Sequence, residues 1–390
     1  MASSATTSAA RTQESAAGLP TCKKETLLES PSSIITLPNE MLLEIFANFL
    51  PIYPDCAPQT GMGSPVHLML VCRRWNDIVV NTPSFWRGLA ISDAWHDERI
   101  LEAKTATELY LSRSRDHLIS VEITIPEADT NLSHVLDCVA AHRGRWEYVF
   151  VSMYDDAQAG NFLGAAPNLL HLALFCVRLE NDFGRNGTVA NVPNLRSAVL
   201  FGLGTRDAQH GLPWSQLTSL TMADWSLDVI APIFLEAVNL VDCRIATGDL
   251  EMLQVGAPKH LHALETLILE DREQLDGVPG TIAGFLDAFT APSLLELQIP
   301  DCFLAREGLV ALERLFKRSE CHLQRLVVTG HLVCNLREAY ECRFSKVTSL
   351  EFLPEHQGLP PMEIPGTLKL SDRARSRMSA AAYRAAITSR

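Results

Sequence analysis

The chain has 390 residues, a formal net charge of -13 and an apolar fraction of 47%. At roughly 150 residues per domain, this length predicts two or three domains or one long array of repeats, and the apolar fraction excludes a wholly disordered chain. The excess of negative charge argues against a dedicated nucleic-acid binder, whose affinity comes largely from Lys and Arg side chains that neutralise phosphates.

The termini and the cysteines indicate an intracellular protein. No stretch approaches the roughly 18 consecutive apolar residues that a membrane helix needs. The first twenty residues are rich in Ala, Ser and Thr and lack the apolar core of a signal peptide. The 10 cysteines are scattered and include no CxxC pair, which predicts reduced thiols in the cytoplasm or nucleus. Residues 1–33 are predicted to be a disordered tail, with a loosely packed arm as the alternative.

Three short helices are predicted between residues 34 and 92. Pro38 suits a first helical turn, and the apolar residues from Met41 to Leu50 then recur at helical spacing. Residues 51–65 are rich in Pro and Gly and predict a 15-residue loop. A second helix is predicted from the stripe Leu68, Val71, Cys72, Trp75, Ile78 and Val79, and a third from Pro83 to Leu89. Such a core is small, so a partner surface is expected to complete it.

From residue 93 to 365 the sequence repeats the apolar pattern Leu-x-x-Leu-x-Leu. The alternation predicts a strand in each copy, and apolar residues at helical spacing, for example at 132–139, 282–289 and 309–316, predict helices between the strands. The mean spacing of about 25 residues is that of leucine-rich repeats. The ten copies begin at Leu118, Trp146, Leu169, Leu195, Leu217, Leu235, Leu264, Leu294, Leu323 and Val347.

This pattern predicts an α/β fold, a leucine-rich-repeat solenoid with a parallel β-sheet on its concave face. Leu220, Leu267, Leu297 and Leu326 are then buried between neighbouring repeats, and Cys243 and Cys302 point into the core beneath a turn. The alternative is an ordinary α/β domain with Leu-rich strands. The uneven intervals predict at least one irregular repeat between Leu217 and Leu294, and loops are predicted at 182–189 and 202–211.

The sequence offers little sign of catalysis. It contains no GxSxG elbow, no P-loop, no HExxH and no CxxC pair. His260 and His262 lack a neighbouring Cys or carboxylate at ligand spacing. We therefore predict a non-catalytic binding protein with no cofactor and no metal. The basic residues of the tail at 366–390 are predicted to be a solvated end, with a nuclear-localisation or acidic-partner patch as the alternative.

Residues 37–91 resemble an F-box. The family opens with Leu-Pro and a helix that contains x-E-x-L-x-x-I-F, which stands here at residues 37–46. Its second helix contains V-C-R-x-W, matched by residues 71–75, and the ending T-P-x-x-W is matched by residues 82–86. The loop at 51–65 is longer than the family's usual loop. Together with downstream leucine-rich repeats, it makes the chain similar to the fungal set of F-box proteins.

This resemblance implies a substrate receptor of an SCF-type cullin–RING ubiquitin ligase. The F-box would bind a Skp-family adaptor, the adaptor would bind the cullin scaffold, and the repeats would hold an unknown protein substrate. No nucleic acid and no membrane are expected as partners. The expected adaptor-binding residues combine the motif positions with the apolar stripes: Leu37, Pro38, Met41, Leu42, Ile45, Phe46, Leu50, Leu68, Val71, Cys72, Trp75 and Trp86.

Substrate recognition is expected on exposed strand positions. In each copy of the pattern, the residues on either side of the second Leu point away from the buried face. These candidates are Tyr148, Phe150, His171, Ala173, Ser197, Val199, Ser219, Thr221, Ala237, Asn239, Thr266, Ile268, Glu296, Gln298, Arg325 and Val327. The set has no basic cluster, so a phosphorylated degron is not favoured.

Two other functions stay open at the level of the sequence. The first is an F-box scaffold or inhibitor that binds the adaptor but works outside the ligase. The second is a catalytic α/β domain with an adaptor-binding arm, which the missing nucleophile and cofactor motifs disfavour.

Overall fold

The computed structural model describes residues 34–92, 100–125, 133–155, 164–178, 191–202, 211–247, 256–271, 282–304, 307–330 and 340–353. The structure is mixed α/β, with a large parallel sheet. The chain divides into two compact units, Met1–Leu42 and Leu43–Arg390. The tails predicted at 1–33 and 366–390, the loop at 182–189 and nearly all of the loop at 202–211 lie outside the described residues.

The described part of the first unit contains a 3-10 turn, Ile34–Thr36, and the start of helix α1, Asn39–Phe49. The backbone N–H of Leu42 donates to the carbonyl of Pro38 at 3.2 Å. Pro38 therefore sits at the beginning of the helix, where its missing N–H costs nothing. Leu42 is fully buried, whereas Met41 is 53% exposed.

The predicted second helix is two helices, so the expectation of a single helix was wrong. Helix α2, Pro65–Met69, is capped by Ser64, whose side chain accepts a hydrogen bond from the N–H of Val66 at 3.1 Å. Residues 70–72 form a turn, and helix α3, Arg73–Val80, follows. The apolar stripe ran across this turn because periodicity alone does not detect a short break.

The predicted third helix is also shorter than expected. A 3-10 turn, Pro83–Trp86, is followed by a strand, β1, Gly88–Ser92. Leu89 is buried as a strand residue and not as a helical one. Trp86, Leu89 and Ile91 have the spacing of the downstream repeat, so an eleventh copy of the pattern lies inside the segment that was predicted to be helical.

Among the described residues, eleven parallel strands form one sheet that follows chain order from β1 to β13. Two short strands, β8 and β10, pair only with each other. The other strands are β2 Ile119–Ile125, β3 Trp146–Asp155, β4 His171–Arg178, β5 Ser197–Phe201, β6 Ser219–Ala223, β7 Asp242–Thr247, β8 Lys259–His260, β9 Thr266–Asp271, β10 Phe289–Thr290, β11 Glu296–Pro300, β12 Arg325–Thr329 and β13 Ser349–Leu353.

Helices and 3-10 turns lie between several of these strands, as is usual for the connections of a parallel sheet. Helix α4 packs on helix α5, and helix α7 packs on helix α8. Their bounds confirm the predicted helices near 132–139, 282–289 and 309–316. They are α4 Ile100–Arg113, α5 Ser133–Ala140, α6 Leu227–Glu236, α7 Ala283–Asp287 and α8 Gly308–Ser319. None of the helices in the described ranges is long and apolar enough to cross a membrane.

One face of the sheet is an apolar core. Its first row is aligned by the strand register and contains Val121, Val149, Leu172, Ala198, Leu220, Cys243, Leu267, Leu297 and Leu326. Each of these residues is at most 2% exposed. The predicted burial of Leu220, Leu267, Leu297 and Leu326 is therefore confirmed, and the parallel sheet is confirmed with it.

One of the ten strand positions was wrong. The copy assigned to Leu235 falls at the end of helix α6, and the strand in this part of the chain is β7. The pattern that matches β7 begins at Leu240 and places Cys243 and Ile245 in the buried rows. With Leu240 as the start, the nine intervals between the ten copies lie between 22 and 30 residues and the short interval of 18 disappears.

The two cysteines singled out from the sequence have different environments. Cys243 is buried, but as a strand residue of the core face. Cys302 is only half-buried in a 3-10 turn, Asp301–Leu304, where its Sγ donates to a carboxylate oxygen of Asp271 at 3.2 Å. The expectation that both lie in the core beneath a turn was wrong for Cys302.

A ladder of side-chain hydrogen bonds joins successive repeats. The residue before the first Leu of a copy donates its side chain to a backbone carbonyl of the preceding copy. These bonds run from Asn168 to Gly144 at 2.6 Å, Asn194 to Pro167 at 2.8 Å, Asn239 to Ser215 at 2.6 Å and Ser293 to His262 at 2.7 Å. Each one satisfies a carbonyl that the turn leaves without a strand partner.

Candidate adaptor-binding surface and substrate face

The predicted adaptor-binding residues fall into three groups by exposure. Leu42, Phe46, Leu50, Leu68 and Trp86 are buried, and Leu37 and Trp75 are half-buried. The exposed members are Pro38, Met41, Ile45, Val71 and Cys72. Phe46, Leu50, Leu68 and Trp86 belong to the core of the second unit, and Leu42 is buried in the first, so direct contact with a partner is expected from the other members.

In the second unit this small core is aromatic. Phe46 packs edge-on against Trp75, with ring centroids 4.6 Å apart, and lies 6.5 Å from Phe85. Trp86 donates its indole N–H to the carbonyl of Val79 at 2.9 Å, which satisfies a fully buried polar atom. Helices α1 and α3 and the 3-10 turn are therefore fixed against one another.

Three strongly exposed apolar residues between residues 43 and 92 were missing from the predicted set. Leu70 is 78% exposed in the turn between α2 and α3, and Ile52 and Met62, in the long loop, are 83% and 76% exposed. With Ile45 and Val71, they are five large apolar side chains between residues 43 and 92 that face solvent. Sequence periodicity did not detect Leu70 because it lies in the break between two helices.

Residues 51–65, which we call the insertion, pack onto the rest of the second unit. The side chain of Gln59 donates to the hydroxyl of Thr107 at 3.1 Å, and both residues are buried. The hydroxyl of Tyr110 donates to the carbonyl of Pro58 at 2.9 Å and lies 3.1 Å from the hydroxyl of Ser64. Helix α4 is thus tied to the insertion by buried polar contacts.

The insertion also reaches the first strands of the sheet. Ala57 forms a parallel bridge with Leu89 of β1, and the Cys56 thiol donates to the carbonyl of Ser120 on β2 at 3.4 Å. Tyr53 donates its hydroxyl to a carboxylate oxygen of Glu147 on β3, and its ring packs edge-on against Tyr148 at 5.6 Å. The predicted loop is therefore a clamp between the helices and three strands.

The second face of the sheet, which we call the mixed face, carries the predicted substrate-binding residues. Eight of the sixteen are half-buried in strands of the sheet: Tyr148, His171, Ala173, Val199, Thr221, Thr266, Glu296 and Arg325. His171 stacks on Tyr148 with ring centroids 4.8 Å apart, and burial lowers the pKa of its ring. These positions remain candidates for contact with a partner.

The expected exposure was wrong for the other candidates on the strands. Phe150, Ser197, Ser219, Ile268, Gln298 and Val327 are at most 6% exposed. Each interior strand has a neighbouring strand on both sides. Side chains of these two strands cover a small side chain, or one near the middle of the sheet, even on this face. Phe150, for example, lies 5.2 Å from the ring of Phe175 on the next strand.

Ala237 and Asn239 do not belong to the mixed face, so their assignment was also wrong. Ala237 is buried and caps the end of helix α6. Asn239 precedes β7, and its side chain is a member of the hydrogen-bond ladder. Both errors follow from placing the copy at Leu235 instead of Leu240.

Charges on the mixed face are of two kinds. The cations stand in ion pairs, since Arg244 binds Glu270 through contacts of 2.9 and 2.6 Å and Arg325 binds Glu351 through contacts of 2.9 and 2.8 Å. Glu122 is different. Its pKa is raised, first by burial and then by the neighbouring carboxylate of Asp55. Within the described residues no cation lies at ion-pair distance from it.

Replacement of this carboxylate is expected to stabilise the fold. A raised folded-state pKa means that the folded state binds more protons than the unfolded state, so stability falls as the pH rises above the ordinary glutamate range. Glu122→Gln should therefore raise the melting temperature at pH 7.5 by about 1–3 °C, with a smaller gain at pH 5. Thermal melts followed by circular dichroism would measure it.

The matched control is Glu351→Gln. Its hydrogen bonds from Arg325 lower the pKa of Glu351, so its carboxylate stabilises the folded state at neutral pH and this contribution is lost as the pH falls. The control should lower the melting temperature at pH 7.5. A loss of stability in both variants would contradict the assignment of Glu122 as an uncompensated charge.

The comparison with known families agrees with the geometry of the helices. A family model described as F-box-like matches residues 34–92, about one seventh of the chain. No curated protein sequence matches the chain. The chain therefore carries an F-box-like domain, a kind of domain that typically binds Skp-family adaptors and suggests an adaptor-binding role in SCF ligases. The matched segment ends in β1, so its last residues are also the first strand of the sheet.

Proposed function

We propose that this chain is a substrate-recognition subunit of an SCF-type cullin–RING ubiquitin ligase. The observation that carries the proposal is the F-box-like match at 34–92, whose last residues form the first strand of an eleven-stranded sheet. The exposed apolar residues of the matched segment would bind the adaptor, and the adaptor would bind the cullin. The mixed face of the sheet would bind a protein substrate.

The sheet is interpreted as a leucine-rich-repeat solenoid in this proposal. Three observations support that interpretation: strands in chain order, intervals of 22 to 30 residues, and a side-chain ladder between successive repeats. The long insertion combined with such repeats supports the resemblance to the fungal F-box proteins.

The chain would carry out no bond-making step and would need no cofactor. It would hold a substrate lysine near the charged conjugating enzyme, so that an encounter between separate molecules becomes a reaction within one assembly. The proposal places the protein in the cytoplasm or the nucleus, where the adaptor and the cullin act.

Adaptor binding can be tested with substitutions that leave the core intact. Leu70→Asp combined with Val71→Asp introduces charge at two side chains that are 78% and 55% exposed. If both contact the adaptor, its recovery in affinity purification of the full chain should fall at least about tenfold. Leu37→Ala combined with Pro38→Ala tests the opening motif in the same assay.

Val310→Asp is the matched control, because Val310 is a 44% exposed apolar residue on helix α8, outside the matched segment. It should leave adaptor recovery unchanged. Adaptor recovery within threefold of wild type for Leu70→Asp with Val71→Asp would contradict binding through this surface.

Recovery of the adaptor without a cullin would instead support a scaffold that works outside the ligase. A chain that begins at Asp93 is a weaker test, since it also removes strand β1 from the sheet.

A further inference from the structure

The mixed face carries two carboxylates that no cation of the described residues compensates. Its cations Arg87, Arg244 and Arg325 are each paired with a carboxylate. Within the described ranges, no cation lies at ion-pair distance from Glu122 on β2 or Asp242 on β7. Asp242 is bonded to the hydroxyl of Thr266, and burial raises the pKa of its carboxyl. These two carboxylates lack the cation that would make their partial burial favourable.

On the strands β4 and β5, which lie between the two carboxylates, the half-buried side chains of this face are largely apolar. In sheet order β2 and β7 are separated by the four strands β3, β4, β5 and β6. Along this path the register places Phe150, Ala173 and Val199 side by side in one row. Phe175 and Phe201 stack in the next row, with ring centroids 5.5 Å apart. His171 lies in a neighbouring row, between Tyr148 and Ser197, and burial lowers the pKa of its ring, which disfavours the charged form.

The dimensions of this surface follow from the strand spacing. Five steps of about 4.8 Å between neighbouring strands separate Glu122 from Asp242 by about 25 Å. An extended peptide advances about 3.4 Å per residue, so seven to eight residues span that distance. A peptide that crosses the strands would place its central residues over the aromatic and aliphatic rows.

We propose that the mixed face binds an extended protein segment with an apolar centre and a basic residue at each end, about eight positions apart. One basic residue pairs with Glu122 and the other with Asp242, and the centre covers the half-buried Ala173, Val199 and Phe175. This inference rests on the proposed function and names the chemistry of the substrate. Charge complementarity selects this occupant, because an acidic or phosphorylated segment would meet two carboxylates beside which the described part of the chain places no cation at ion-pair distance.

The test is direct peptide binding by the purified full chain, without the adaptor, measured by fluorescence anisotropy. The probe is a labelled nine-residue peptide with Arg at both ends and alternating Leu and Ser between them. One comparison peptide has Glu at both ends, and another has the same composition as the probe but both Arg residues at one end. We expect the probe to bind with a Kd below about 100 μM and at least tenfold more tightly than either comparison peptide.

The double variant Glu122→Gln with Asp242→Asn should weaken binding of the probe at least fivefold. Its matched control is Glu108→Gln with Asp137→Asn, which changes the net charge equally on the exposed surfaces of helices α4 and α5. The control should bind within twofold of wild type.

Equal binding of the three peptides, no binding of the probe near 100 μM, or equal weakening in the two double variants would overturn the proposal. If the variant at Glu122 and Asp242 shows no cooperative melting transition, it is not folded. The comparison of the three peptides on the wild-type chain then decides whether the proposal holds. Because the adaptor is absent, loss of adaptor binding in the separate purification experiment would refute the ligase role without changing this result.

Discussion

Leu267→Asp is expected to unfold several repeats of the sheet together. Leu267 is 0% exposed and lies between Cys243 and Leu297 in the first row of the core face. A carboxylate at this position has no cation partner in the row, and burial of an unpaired charge typically costs several kcal/mol. In a stacked array each repeat depends on its neighbours, so the damage should extend beyond β9.

Hydrogen exchange measured by mass spectrometry would locate the loss. Protection should fall in β7, β9 and β11, and the melting temperature of the full chain should drop by more than 5 °C. Leu267→Met conserves volume and polarity and should cost less than about 1.5 kcal/mol. A melting temperature for Leu267→Asp within 2 °C of wild type would mean that the repeats do not share a core at this position.

Gly88→Val is expected to separate the insertion from the sheet. A Cβ atom at Gly88 would lie 2.9 Å from the carbonyl oxygen of Asp55 and 3.0 Å from Cα of Cys56. Both contacts are with backbone, which has less freedom to move than a side-chain end. We expect a destabilisation of about 2–3 kcal/mol, as in other over-packed sites, and faster cleavage of residues 51–65 in limited proteolysis.

Gly256→Val is the control for this substitution. A Cβ atom at Gly256 meets nothing within 4 Å, so the change should leave both the melting temperature and the cleavage pattern as they are. Cleavage of the insertion at the wild-type rate in Gly88→Val would show that the close approach of Gly88 to Asp55 and Cys56 does not hold the insertion in place.

The strands were predictable because their signal is local. Alternating apolar residues and a regular interval identify a strand wherever only one register fits, as at Leu217 and Leu264. The error at Leu235 arose because Leu235, Val238 and Leu240 also satisfy the pattern, and helix α6 extends through the first of them. Two registers of similar apolar content cannot be separated without knowledge of the preceding helix.

The contacts of the insertion were not predictable, because they join residues far apart in sequence. Gln59 and Thr107 are 48 positions apart, and Tyr53 and Glu147 are 94 apart. Composition correctly marked residues 51–65 as irregular backbone, but Pro and Gly content says nothing about what such a segment packs against. The burial of Phe150 and Val327 was missed for a related reason. Both lie on interior strands, and residues of the neighbouring strands cover their side chains.

The clamp has a mechanical consequence for the proposed receptor. A short connection between a docking module and a recognition domain ordinarily acts as a hinge, and the held substrate then sweeps a wide arc. Here Ala57, Cys56 and Tyr53 contact three successive strands, which removes that torsional freedom within the second unit. Such a receptor would hold only a few substrate lysines near the conjugating enzyme. The choice of modified lysine would therefore depend on where the bound segment lies in the substrate's sequence.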